Sequence, residues 1–277
     1  MSIETKWRNK KDDSKHAILV GAGELDKSMA IKIKNSISEH DYVIALDGGL
    51  NFCAEHGIEP DMIVGDFDSL TQEINKTNKE QHAQSQQKNM EMPTITKDEI
   101  LTRYPKEIIY RLPCEKDDTD TLAAIKMAIE KGFIQFTIYG GLGGRLSHTM
   151  ANIQTLMYLK EQGLYGELIG DKCRVLLIKN ESISLQPYGI KEESSSLKLS
   201  MEKADKLSQP QTGGYISIFS YSEKAVGVTL KNLKYEIEDA ELTNTFPIGV
   251  SNEFVGKKAE ISVKQGVLLI VAESREE

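Results

Sequence analysis

Residues 133–157, FIQFTIYGGLGGRLSHTMANIQTLM, run from an apolar stretch through a glycine-rich turn into a segment of helical periodicity. Phe133 to Tyr139 reads as a strand, and Met150, Ile153, Leu156 and Met157 recur at helical spacing after the turn. The same strand, loop and helix unit is legible upstream. Ala17 to Val20 is a short strand leaving through Gly21-Ala22-Gly23-Glu24, a lone GxG that marks no more than a tight turn. Met29, Ile33 and Ile37 then lie on one helical face of residues 28–38. Tyr42 to Leu46 is a strand ending at Asp47-Gly48-Gly49, and a short helix, Leu50 to His56, is closed by Gly57. Met62 to Val64 and Glu107 to Leu112 are further strands. Leu122, Ile125 and Ile129 mark a helix that Gly132 ends. Strands alternating with helices predict a parallel sheet covered on both faces, a Rossmann-like α/β domain over residues 15–165.

Beyond about Gly163 the pattern changes. Glu167–Ile169, Val175–Ile178, Ile183–Leu185, Tyr215–Phe219, Val226–Leu230, Ala259–Val263 and Val267–Val271 read as short strands separated by turns such as Lys264-Gln265-Gly266. Short strands without helices predict an antiparallel sandwich or barrel over residues 166–277. Two polar stretches interrupt this order: about 72–100 reads as a surface insertion or a lengthened helix where no chemistry is expected, and 189–213 as a second polar insertion.

The chain has 277 residues and a formal net charge of -8, which argues against a general binder of nucleic acid or anionic membrane. An anionic substrate therefore needs a local basic site or a metal ion. Cys53, Cys114 and Cys173 form no CxxC pair, so no cysteine-based zinc site is expected and a reducing compartment is. No apolar run has the length of a membrane span and the polar start is unlike a signal peptide, so the expectation is a cytoplasmic protein.

Four loops leave strands at their carboxyl ends: Asp47-Gly48-Gly49, Asp66 to Ser69, Lys116 to Asp120, and Gly140 to Arg145. In open parallel sheets that edge is where ligands bind. Asp66 and Asp68 stand two residues apart, and on extended backbone both carboxylates project to one side and can grip one cation. Magnesium is held by one or two carboxylates, with substrate phosphates completing its shell. In KDDTD, Lys116 is placed for a phosphate and Asp120 as a third metal-facing carboxylate; one or two of Asp117, Asp118 and Asp120 are expected to serve the helix start instead. The glycines of GGLGGR let backbone amides approach a phosphate, and Arg145 offers forked donors. His148 and Asn152, four residues apart, are expected to face the same cleft. There is no Walker GxxxxGK[ST], no Gly-x-Ser-x-Gly elbow and no second histidine at metal spacing. What remains is metal-assisted phosphoryl chemistry on a nucleotide, with the acceptor undetermined.

Four segments taken together resemble the thiamine pyrophosphokinase family: ALDGGLNFCAEHGIEPDMIVGDFDSL, EKDDTDTLAAIKMAI, GGLGGRLSHTMANIQTL and GVSNEFVGKKAEISVKQGVLLIV. The resemblance implies an α/β catalytic domain followed by a β-sandwich thiamine-binding domain, in a homodimer with sites at the subunit interface. It implies transfer of the pyrophosphoryl group of ATP to the hydroxyl of thiamine, giving thiamine diphosphate and AMP. By position, Asp47, Asp66, Asp68 and Asp120 would be catalytic, with Asp66, Asp68 and Asp120 on Mg2+. Lys116, Asp117, Gly141, Gly143, Gly144, Arg145, His148 and Asn152 would hold ATP, and Ser251 and Asn252 thiamine. The hydroxyl would attack the β-phosphorus in line, with Asp120 or Asp47 taking its proton. The chain departs from the family at Ser147, where an aspartate is usual. Its only tryptophan is Trp7, so Tyr235 or Phe246 would have to stack on thiamine where other members use a tryptophan. The alternatives are a pyrophosphokinase acting on another alcohol such as a pterin, or a non-catalytic binder of thiamine diphosphate or nucleotide.

Overall fold

The computed structural model describes residues 16–67, 100–113, 117–187 and 213–275. Both polar insertions, Lys116, Asp68 and Ser69 lie outside these residues. The chain divides into two compact units, one ending at Asp171 and one beginning at Lys172.

The first unit contains β1 (His16–Val20), α1 (Lys27–Ser36), β2 (Tyr42–Leu46), α2 (Gly49–His56), β3 (Met62–Gly65), β4 (Ile109–Arg111), α3 (Asp120–Glu130), β5 (Gln135–Tyr139), α4 (Leu146–Glu161) and β6 (Tyr165–Ile169). Its strands lie in the order β6-β5-β1-β2-β3-β4, every pairing parallel. The near-continuous apolar runs of β1, β2 and β3 are buried, as strands covered on both faces must be. After β4 the chain returns past β1 to place β5, so the order of the sheet reverses between β1 and β5. α2 packs on β1 and β2, α3 on β2 and β3, α4 on β6, and α3 packs on α4. β6, counted with the second domain in the sequence reading, pairs in parallel with β5 and completes this sheet.

Helix ends follow local chemistry. Asp26 caps α1 by accepting from the Met29 N–H at 2.9 Å, and Gly57 closes α2 in the left-handed region. The inward face of α4 is Asn152, Thr155, Leu156 and Leu159. Met150, assigned by periodicity to the apolar face, is half exposed, and Leu146 one turn earlier is 75% exposed. The apolar stripe is real, but only its end meets the sheet.

The second unit is a β-sandwich. One sheet holds β7 (Cys173–Lys179), β14 (Val267–Glu273), β9 (Tyr215–Ser220) and β12 (Asn252–Glu253); the other holds β8 (Ser182–Leu185), β13 (Ala259–Ser262), β10 (Lys224–Lys231) and β11 (Ile237–Thr243). The pairings among these strands are antiparallel. Leu176, Ile218 and Ile270 from the first sheet share a core with Val228, Leu230 and Ile261 from the second. β11 escapes the sequence reading because IEDAELT carries charges along an edge strand, where they discourage further pairing. Among the described residues, no helix is long and apolar enough to cross a membrane.

Candidate active site

The parallel pairing sends the loops after β3, β2, β1 and β5 to one edge, in that spatial order. Contacts between neighbouring loops bind them into a row. Asp47 donates its N–H to the Val64 carbonyl at 2.9 Å, and a Cβ on Gly65 would lie 3.0 Å from the Asp47 Cβ. The carboxylate turn after β2 is thus pressed against the residue preceding Asp66. On the other side, a Cβ on Gly49 would collide with the Val20 carbonyl, so α2 starts directly on the end of β1. Gly21 and Gly23 donate their N–H groups to the Tyr139 and Gly140 carbonyls at 2.8 and 2.9 Å. The GAGE turn therefore meets the GGLGGR loop at the point where strand order reverses, the usual ligand crevice of such sheets. Nothing in a lone GxG signals this; it follows only from β1 lying beside β5.

Backbone conformation at this edge is unusual. Asp47 has φ 26° and Phe67 φ 65°, both in the left-handed region, and Phe67 is wholly buried with the Arg111 guanidinium 5.3 Å from its ring centroid. A bulky residue at positive φ is an outlier of the kind that collects at functional sites. The backbone at Phe67 is therefore turned rather than extended, and Asp68 beyond it lies outside the described residues.

The KDDTD segment separates into roles. The Thr119 hydroxyl caps α3, accepting from the Leu122 N–H at 3.2 Å, so the capping expected of the aspartates falls to the threonine. Asp118 pairs with Lys126 at 2.7 Å. Asp117 is exposed, and half-buried Asp120 opens a helix that packs on β2 and β3, the strands that deliver Asp47 and Asp66.

The glycine-rich loop is supported from behind. Asn152, 8% exposed, donates from Nδ2 to the Gly141 carbonyl at 2.8 Å, and the Thr149 hydroxyl donates to the Gly143 carbonyl at 3.4 Å. Asn152 is turned inward to hold the loop while His148 is exposed, so the two do not share one environment. Gly143 (φ 82°) and Gly144 (φ 61°) are both left-handed, which L side chains rarely adopt, and exposed Arg145 follows at the N-cap of α4. Ser147 is exposed in the first turn.

Two residues missed in the sequence belong to this edge. Glu24 reaches the glycine-rich loop, accepting from the Gly144 N–H at 3.2 Å. Asn51, in the first turn of α2, buries both polar ends of its side chain with no hydrogen-bond partner among the described residues. The Cys53 thiol, by contrast, is no nucleophile: burial, aided by the Glu59 charge, pushes it up to about 12.

In the sandwich, Ser251 sits at φ 57° and donates its N–H to the Ser217 hydroxyl at 3.1 Å. Asn252 is buried, accepts from the Tyr235 N–H at 2.9 Å and donates to the Tyr235 carbonyl at 2.7 Å. Its amide clamps the turn that presents Tyr235, whose side is 60% exposed. Phe246 is 66% exposed.

Among the described residues, no three His, Cys, Asp or Glu side chains cluster closely enough to hold a metal by themselves. Magnesium does not require that, since one or two carboxylates and substrate phosphates suffice. The donors at this edge are carboxylate oxygens, which fit a hard cation.

Comparison with known proteins agrees in both units. Residues 33–165 match the family model "Thiamin pyrophosphokinase, catalytic domain", and residues 203–268 match "Thiamin pyrophosphokinase, vitamin B1 binding domain". The chain is 26% identical over 245 residues to the thiamine pyrophosphokinase of Bacillus subtilis (strain 168), covering 88% of this chain and 93% of that protein. The crystal structure of thiamine pyrophosphokinase from Bacillus subtilis superposes with a TM-score of 0.66 at 22% identity, over 95% of this chain and 100% of that one. That of the thiamin pyrophosphokinase from Geobacillus thermodenitrificans gives 0.67 at 19% identity, over 95% and 99%. These superpositions establish a shared two-domain fold.

Proposed function

Because the chain belongs to the thiamin pyrophosphokinase family, and is thereby an ATP-dependent enzyme of thiamine diphosphate formation, we propose that the row of loops at the carboxyl edge of its parallel sheet carries the transfer. The pyrophosphoryl group of ATP passes to the thiamine hydroxyl, and AMP leaves. The observation that carries this reading is the packing of Asp47 against Gly65, beside Asp66, within the catalytic-domain match. The vitamin B1 binding match over the sandwich favours thiamine over another alcohol such as a pterin.

In this reading Asp66, Asp68 and Asp120 hold Mg2+. When bound, the ion neutralises charge on the phosphate oxygens. Gly141, Gly143 and Gly144 offer backbone amides to the phosphates, with Arg145, Lys116 and Asp117 beside them and Asn152 fixing the loop. His148, exposed on the first turn of α4, stands where it can meet the nucleotide. Asp47, buried and held on a strained turn, receives the hydroxyl proton. Ser251 and Asn252 shape the thiamine pocket, the latter by clamping Tyr235. The protein works in the cytoplasm as a homodimer, for which exposed Phe246, Ile248 and Leu146 supply apolar surface.

The deciding assay measures AMP release from ATP and magnesium with and without thiamine. AMP formed in step with thiamine diphosphate, and only when thiamine is present, is the expected result. Tight ATP or thiamine diphosphate binding without AMP would mean a non-catalytic binder.

A further inference from the structure

The Gly144 amide belongs to the glycine-rich loop read as the phosphate site, yet it already has an anionic partner. Glu24 Oε1 accepts its hydrogen bond at 3.2 Å. The same carboxylate fills the space beside Gly143: a Cβ there would lie 2.7 Å from Glu24 Cδ and 2.9 Å from Oε2. We propose that Glu24 is an internal competitor for this anion site, so that ATP must displace its carboxylate before the phosphates can settle on the loop. The inference rests on the reading of the glycine-rich loop as the ATP site.

Three features support competition. The loop does not depend on Glu24 for its shape, because Asn152 holds Gly141, Thr149 holds Gly143 and Gly23 holds Gly140 from other directions. Glu24 itself is exposed and can swing into solvent without opening the core. A carboxylate and a phosphate on one amide repel each other, and backbone amides at a left-handed glycine pair ahead of a helix favour whichever anion arrives. Occupation by the weaker anion keeps the loop partnered between turnovers and raises the ATP concentration needed to fill it.

The test is calorimetric binding of Mg·ATP, without thiamine, to the full chain and to Glu24→Gln, Gly144→Ala and Arg145→Ala. Glu24→Gln keeps size and acceptor but removes the charge. It is expected to tighten ATP about three- to fivefold, the span of one exposed charge contact. Gly144→Ala, whose added Cβ meets nothing within 4 Å but sits at φ 61°, and Arg145→Ala are expected to weaken it. If the loop variants weaken ATP while Glu24→Gln leaves it unchanged, the competitor role is wrong. If Glu24→Gln weakens binding, Glu24 holds ATP, directly or through a shared cation, and the role is again wrong. If Gly144→Ala and Arg145→Ala bind ATP like the parent chain, the loop is not the ATP site, and both readings fall.

Discussion

The two units treat unusual backbone differently. In the sandwich, Asn180 and Asn232 take positive φ between strands and Asp239 takes it within β11, where the pairing with β10 shifts register; their short polar side chains tolerate it. In the α/β unit the residues that do so are Asp47 and Phe67, flanking the carboxylates of the sheet edge. The one sandwich residue that breaks its own unit's pattern is Ser251, next to Asn252. Left-handed backbone away from the candidate site is thus ordinary turn and bulge chemistry. Beside the site it also falls on Phe67, a bulky residue that resists it, and packing must hold that residue there.

Four measurements would break or sharpen this contrast. Phe67 and Phe254 are both wholly buried, one at a strained position and one at an ordinary one. Truncating either to alanine is expected to cost about 3–5 kcal/mol in urea unfolding. Only Phe67→Ala should also depress turnover in the fraction that stays folded; full turnover there would separate the strain from the chemistry. Asp66→Asn is expected to lower turnover at least a hundredfold, about 3 kcal/mol of barrier, with its melting temperature little changed. Near-normal activity would remove Asp66 from the reaction. Asn252→Ala breaks the clamp on Tyr235 and is expected to cost about 1–3 kcal/mol. A variant melting like the parent would mean that the amide serves the substrate and not the backbone.

The smallest effect concerns acid. Burial opposes ionisation of Asp41, but hydrogen bonds from the Ser38 N–H and hydroxyl and from His16 outweigh it, so its carboxyl is held below the usual range. A depressed carboxylate contributes stability that is complete above its ordinary pKa and disappears as pH falls through the folded value. Asp41→Asn is therefore expected to cost about 1 kcal/mol at neutral pH, with the gap closing as pH falls below about 4. A gap that stays constant with pH would show that the charge plays no part.

Much of the fold was legible from periodicity. Tyr42–Leu46 stands in the structure as read, and Gly57 closes α2 as its position after the apolar run implied. What was illegible depends on partners distant in sequence. Strand order is not written locally, so the meeting of GAGE with GGLGGR was invisible. The inward turn of Asn152 depends on a carbonyl eleven residues earlier, and spacing alone placed it beside His148. Thr119 outcompeted its aspartate neighbours as a cap because Asp118 found Lys126. The assumption of extended backbone through Phe67 failed where burial of one ring outweighs the φ preference of its residue type.

The seating of Gly49 on the end of β1 has a consequence for which residue the sheet edge can admit there. With no room for even a methyl group between them, glycine is the only residue that lets the corner after Asp47 rest on the end of β1, so Gly49→Ala must push the Asp47 turn and the β1 exit apart.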